Sequence, residues 1–199
     1  VQPLKIIVGL GNPSPEYDHT RHNVGALWVR ALARSHGIDL KVESKFKGEV
    51  GRGTIADCDV RLLLPSTYMN NSGESVAALM QFFKVELNEL LVAYDEMAFE
   101  PGVVKLKFGG GDNGHNGLKS VRRQCGGSGD YHRLRIGVGH PGDKNLVTSY
   151  LTQRRMPADE IALVEQAGDF GQGALNSLVN GDMQAAMNII HTTETRSGI

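Results

Sequence analysis

Apolar positions along the chain follow two periods. Leu4 to Val8 is a short unbroken apolar run ending in Gly9-Leu10-Gly11-Asn12-Pro13, the pattern of a buried strand feeding a loop. From His22 to about His36 the apolar residues Val24, Leu27, Trp28, Ala31 and Leu32 recur at helical spacing, and Gly37 supplies a stop. Gly48 to Ile55 and Val60 to Leu64 predict the two strands of a hairpin across Ala56-Asp57-Cys58-Asp59, with Pro65 ending the second. Asn71 to Lys84 predicts a helix with an apolar stripe of Val76, Leu79, Met80 and Phe83; Asn71 with Glu74 three residues on predicts a capping box.

Leu90 to Tyr94 predicts a buried strand with Asp95 at its end. Val103 to Phe108 predicts another, which puts Lys105 and Lys107 on one face. A glycine-rich loop then leads into a helix from about Asn116 to Gln124. His132 to Val138 is a strand followed by the turn His140-Pro141-Gly142-Asp143, and the tail predicts helices from Pro157 to about Val179 and from Asp182 to His191. Strands alternating with helices specify an α/β fold, and the hairpin makes its sheet mixed. With no repeat, low-complexity stretch or linker, a single domain over residues 1–199 is expected.

Composition narrows the class. Hydrophobic residues make up 40% and charged ones 22%, as in ordinary globular proteins. No apolar run approaches the ~20 residues of a membrane span. The start, Val1-Gln2-Pro3-Leu4-Lys5, carries no export pattern. Cys58 and Cys125 stand apart from any Cys-x-x-Cys or Cys/His cluster, so a reducing cytoplasm is the expected compartment. The net charge of −1 hides an uneven distribution. Between Val103 and Arg135 lie Lys105, Lys107, Lys119, Arg122, Arg123, Arg133 and Arg135 against Asp112 and Asp130. From Pro157 to Glu194 lie Asp159, Glu160, Glu165, Asp169, Asp182 and Glu194 with no Lys or Arg. A basic middle beside an acidic tail suits either a phosphate backbone or plain solvated faces.

Candidate chemistry collects at strand ends. Asn12 follows the first strand, Asn70 follows the strand ending at Leu64, Asp95 closes its strand, and Asn116 follows the glycine loop. In open α/β sheets the ligand crevice lies beyond the carboxyl ends of the strands. His22, after the loop from the first strand, reaches the same crevice. A neutral histidine accepts a proton from water near neutral pH, a carboxylate orients it, and asparagine amides donate to an oxyanion. No Gly-x-Ser-x-Gly elbow is present, which favours direct attack by water over an acyl-enzyme. Each residue also has a structural use, His22 as a helix-start cap and the asparagines in turns.

Gly109-Gly110-Gly111-Asp112-Asn113-Gly114 matches G-x-G-x-x-G, but Asp130 precedes the next strand instead of closing it, so the dinucleotide fingerprint fails. A glycine loop at a helix start still suits an anion, or no ligand at all. His19 and His22 are spaced H-x-x-H, while His115, His132 and His140 are scattered. No metal-ligand spacing is visible, so neither metal nor cofactor is expected.

Taken together, Val8-Gly9-Leu10-Gly11-Asn12-Pro13, Glu16-Tyr17, Thr20-Arg21-His22-Asn23, Thr67-Tyr68-Met69-Asn70, Asp95-Glu96, Gly109-Gly110-Gly111, Gly114-His115-Asn116-Gly117-Leu118, His132-Arg133-Leu134-Arg135-Ile136-Gly137 and Gly139-His140-Pro141-Gly142 resemble, in order, the motifs of bacterial-type peptidyl-tRNA hydrolases. The resemblance spans about residues 4 to 191. It implies a single α/β domain with a twisted mixed sheet flanked by helices, a cytoplasmic, monomeric, metal-independent enzyme, and cleavage of the ester between peptide and tRNA. It also implies His22 as base, Asp95 as its support, Asn12 as a setter of catalytic geometry, and Tyr17, Tyr68, Asn70 and Asn116 as contacts to the peptidyl-tRNA end. The basic segment would then follow tRNA phosphates. Tyr94 stands where the family usually has histidine, Asp112-Asn113 replace a histidine and a glycine, and Ser14 replaces a common glycine. Two alternatives remain at this level: a non-catalytic RNA-binding protein on the same fold, and a small-molecule hydrolase or phosphorylase of similar architecture.

Overall fold

The computed structural model describes residues 2–192, so Glu194 of the expected acidic tail lies outside the described residues. Seven strands are described: β1 (Ile6–Gly9), β2 (Lys41–Glu43), β3 (Gly48–Ile55), β4 (Cys58–Pro65), β5 (Leu90–Glu96), β6 (Val104–Phe108) and β7 (His132–Gly137). They form one mixed sheet in the order β2-β3-β4-β1-β5-β7-β6. The central four, β4, β1, β5 and β7, are mutually parallel, whereas β3, β2 and β6 join antiparallel. Pro65, Gly9, Glu96 and Gly137 therefore end on one edge, and the loops beyond them build the site.

Among the described residues seven α-helices flank the sheet: α1 (Val24–Ser35), α2 (Ser72–Phe83), α3 (Asn116–Gln124), α4 (Val147–Thr152), α5 (Ala158–Gly168), α6 (Gly171–Val179) and α7 (Met183–Thr192). The period-2 rule decides which layer each strand residue joins. Ile7, Leu62, Leu64, Leu91 and Ala93 pack with Trp28, Val164, Leu178 and Ile190 of the helices on one face. Ile6, Val8, Leu63, Val92 and Tyr94 pack with Val76, Leu79, Leu118 and Val121 on the other. Burying each large apolar side chain contributes roughly 1.5–3 kcal/mol, and both faces of the central strands gain it.

Local differences from the sequence pattern have identifiable causes. The hairpin turn is only Ala56-Asp57, both left-handed at φ 53° and 61°, so Cys58 and Asp59 already pair with Ile55 and Thr54. The capping box is not formed, because Glu74 instead reaches Lys47 at 2.9 Å. The expected single helix from Pro157 to Val179 breaks at Asp169-Phe170, and Gly171 restarts it at φ 83°. The short strand β2 and helix α4 lacked a periodic signal long enough to read.

One close approach fixes the site. Helix α1 packs so tightly on the sheet that a Cβ on Gly25 would overlap the Ala93 carbonyl, and one on Gly9 would overlap the Gly25 carbonyl. Gly25 lies three residues after His22 and Ala93 two before Asp95, so this glycine contact brings the His22 and Asp95 side chains together.

Candidate active site

His22 sits in a 3-10 turn, Arg21–Asn23, that opens α1, and it is buried. Its Nδ1 lies 2.8 Å from Asp95 Oδ2 at the end of β5. Asp95 is itself 3% exposed, and its other oxygen, Oδ1, receives His115 Nε2 at 2.8 Å. His115 caps α3: its Nδ1 accepts from the Gly117 and Leu118 amides, which places the ring proton on Nε2, facing Asp95. The two imidazole centroids are 4.9 Å apart.

The electrostatics follow from this three-residue arrangement. Burial alone would push the Asp95 carboxyl up, but the two imidazoles that face and bond it hold it well below the usual carboxylate range. For His22, burial disfavours the charged ring, yet the Asp95 carboxylate outweighs burial and raises its pKa above 6.5. With Nδ1 committed to Asp95, Nε2 is the nitrogen left to take a proton.

Asn12 is fixed from two sides. Its main-chain N–H and C=O pair with the Asn23 side chain at 2.8 and 2.9 Å, and its Oδ1 accepts from the Met69 amide at 2.8 Å. Met69 opens the 3-10 turn that carries Asn70, and the Asn70 carbonyl accepts from Arg123 of α3 at 3.3 Å. Asn116 is the first residue of α3, next to His115, and is exposed. Tyr17 and Tyr68 meet edge-to-face at 6.5 Å, with Tyr68 exposed. Links through bonded neighbours thus bring His22, Asp95, Asn12, Asn70 and Asn116 to one edge, with Tyr17 and Tyr68 paired beside them.

A family profile for peptidyl-tRNA hydrolase matches residues 6–197. The peptidyl-tRNA hydrolase of Pseudomonas paraeruginosa is 50% identical over 189 residues, covering 95% of this chain and 97% of that protein. That of Shewanella frigidimarina is also 50% identical, covering 95% and 96%. A crystal structure of the Acinetobacter baumannii peptidyl-tRNA hydrolase superposes with a TM-score of 0.89 at 45% identity, covering 94% of each chain. The chain belongs to the peptidyl-tRNA hydrolase family. It is an enzyme whose substrate is peptidyl-tRNA, and the reading as a non-catalytic RNA binder is not favoured.

Sequence reasoning left three contributors to this hydrolase site without a role. His115 looked like one of several scattered histidines, although its place just before a helix start is an N-cap signal. Asn23 and Met69 act through hydrogen bonds that only the tertiary fold creates. The spacing also gave no hint that His22, Asp95 and His115 form a group whose ligand-capable atoms lie within 4.8 Å of one another. Each of those imidazole nitrogens already bonds a carboxylate oxygen, so a metal ion placed there would displace both bonds; the donor set fits a hydrogen-bonded array better than a metal cage.

The basic segment divides into two populations. Arg133 is 1% exposed and donates to the carbonyls of Gly111, Gly110 and Gly129, which makes it a structural brace. Arg122 bonds Asp112 and the Gly110 carbonyl. Lys105, Lys107 and Arg135 share the sheet face of Arg133 by the period-2 rule, with Lys105 directly opposite Arg135. Like charges facing across a ladder destabilise it, and the Phe99 ring offsets this, with Lys105 Nζ 5.0 Å and the Arg135 guanidinium 4.9 Å from its centroid. The expectation that all seven cations follow the tRNA backbone is therefore corrected for Arg133 and narrowed for Arg122.

Proposed function

We propose that this peptidyl-tRNA hydrolase cleaves its ester with water activated by His22. The observation that carries the reading is the 2.8 Å contact of His22 Nδ1 with the buried Asp95 carboxylate, which leaves Nε2 as the proton acceptor. Water attacks the ester carbonyl carbon, and its proton passes to Nε2. The tetrahedral intermediate then breaks its bond to the ribose oxygen, which takes the proton from His22. Asp95 stabilises the imidazolium in between. Asn12 has its Oδ1 bound to Met69, so its amino group is the end offered to the oxyanion; one such donor is typically worth ~10²- to 10³-fold in rate. Asn70, Asn116, Tyr17 and Tyr68 contact the peptidyl-tRNA end, and Lys105, Lys107 and Arg135 face its phosphates.

The same reading makes the enzyme a cytoplasmic, metal-independent monomer. Among the described residues, no helix is long and apolar enough to cross a membrane. Single-turnover release tests the chemistry: tRNA and peptide appear together, at a rate unchanged by chelator. A burst of tRNA ahead of peptide would point to a covalent acyl-enzyme and overturn direct attack by water. Loss of activity on chelation would overturn the metal-free mechanism.

A further inference from the structure

The glycine loop between β6 and α3 raises a physical question: what keeps it in one shape. Gly109, Gly110 and Gly114 have positive φ, and so does Asn113 at 48°, so the segment has few conformational restraints of its own. Yet its far end must deliver His115 to Asp95 at hydrogen-bond distance. Arg133, reaching in from β7, secures the Gly110 and Gly111 carbonyls. Nothing in that brace touches the second half of the loop.

Asp112 supplies the second restraint. Its carboxylate receives Arg122 Nε at 3.1 and 3.2 Å, and its main-chain carbonyl accepts the His115 amide at 2.8 Å. Arg122 lies in α3, the helix that His115 caps, and also donates to the Gly110 carbonyl at 2.8 Å. The loop is thereby folded back on the helix it feeds, with Asp112 as the fastener. We propose that Asp112, through its ion pair with Arg122, is a positioning residue that sets His115 against Asp95. The proposal rests on the reading of Asp95 as the support of the base. It also gives a use to the carboxylate that stands where the family usually has histidine, and it explains how a negative charge is tolerated there: Arg122 neutralises it.

The expected kinetic signs separate this role from a simple charge effect. Removing a negative charge near an RNA-binding face on its own tightens substrate and lowers KM. Loosening the loop lowers kcat, because a small misplacement of catalytic groups costs rate steeply. We therefore expect Asp112→Asn to lower kcat about tenfold with KM unchanged or lower. Asp112→Glu recovers most of the loss, and the double variant with Arg122→Gln loses no more kcat than Arg122→Gln alone. Melting temperatures are followed in parallel. Wild-type kcat in Asp112→Asn, whether KM or the melting temperature moves, overturns the proposal, as do additive losses in the double variant. His115→Ala and Asp95→Asn separate the layers. Wild-type kcat in His115→Ala sinks the Asp112 role and leaves the His22 reading standing; wild-type kcat in Asp95→Asn sinks both.

Discussion

Asn23 grips the main chain of Asn12 with both ends of its amide, accepting from the N–H at 2.8 Å and donating to the carbonyl at 2.9 Å. Because Asn23 directly follows His22, the proposed base and the asparagine proposed to face the oxyanion are registered through one side chain. Asn23→Asp removes the donor and sets a carboxylate against the Asn12 carbonyl. That variant is expected to lose roughly 10- to 100-fold in kcat with little change in KM, measured by steady-state peptide release. A change confined to KM would contradict the registration role.

The pH dependence follows from Asp95. The proposed base His22 must be neutral to accept a proton, and its pKa is raised above 6.5 by the Asp95 charge, so kcat/KM should climb with pH through a value above 6.5. Asp95→Asn removes the charge that raised it, which moves the limb to lower pH while cutting kcat by about 10²- to 10⁴-fold. A stability consequence has the opposite sense. The raised pKa of His22 contributes stability fully below pH 6.5, and this is lost as pH rises through its folded value. A pH–rate profile of the two proteins checks the first claim; an unmoved limb would contradict it.

Gly25→Ala forces a methyl group into the Ala93 carbonyl. Overpacking of this kind typically costs about 1–3 kcal/mol, and here it separates α1 from β5. The expected result is a lowered melting temperature together with a loss of activity larger than the unfolded fraction explains. Full activity in the folded variant would show that the helix approach does not set the His22–Asp95 distance.

Two neighbouring arginines on one strand should behave oppositely. If the strip faces phosphate as proposed, Arg135→Ala removes one of its cations, raising KM and lowering the salt slope of tRNA binding by about one. Arg133→Ala leaves the carbonyls of Gly110, Gly111 and Gly129 without their donor, so it should destabilise the fold and lower kcat. Salt titrations and melting curves on both variants distinguish the roles; equal effects would contradict the division.

Much of this was legible in the sequence. Strand β3 and helix α3 were read to the residue, because a hydrophobic period bounded by turn residues decides them locally. His22, Asp95, Asn12, Asn70 and Asn116 were placed at one sheet edge by the rule for strand ends. Other features depended on distant partners. Glu74 forsakes its helix cap for Lys47, twenty-seven residues away, and His115 acquires its role only when β5 places Asp95 beneath the glycine loop. Arg133 looked like a ligand for phosphate because nothing in its own strand tells that three carbonyls close over it.

The most direct test of the central claim is peptide release from peptidyl-tRNA by wild type and His22→Ala, with tRNA affinity measured on the same preparations. General-base catalysis by His22 predicts a loss of at least about 10²-fold in the rate of release with tRNA affinity within about twofold, because the ring acts on water and not on the RNA backbone. Equal release by both proteins would contradict it.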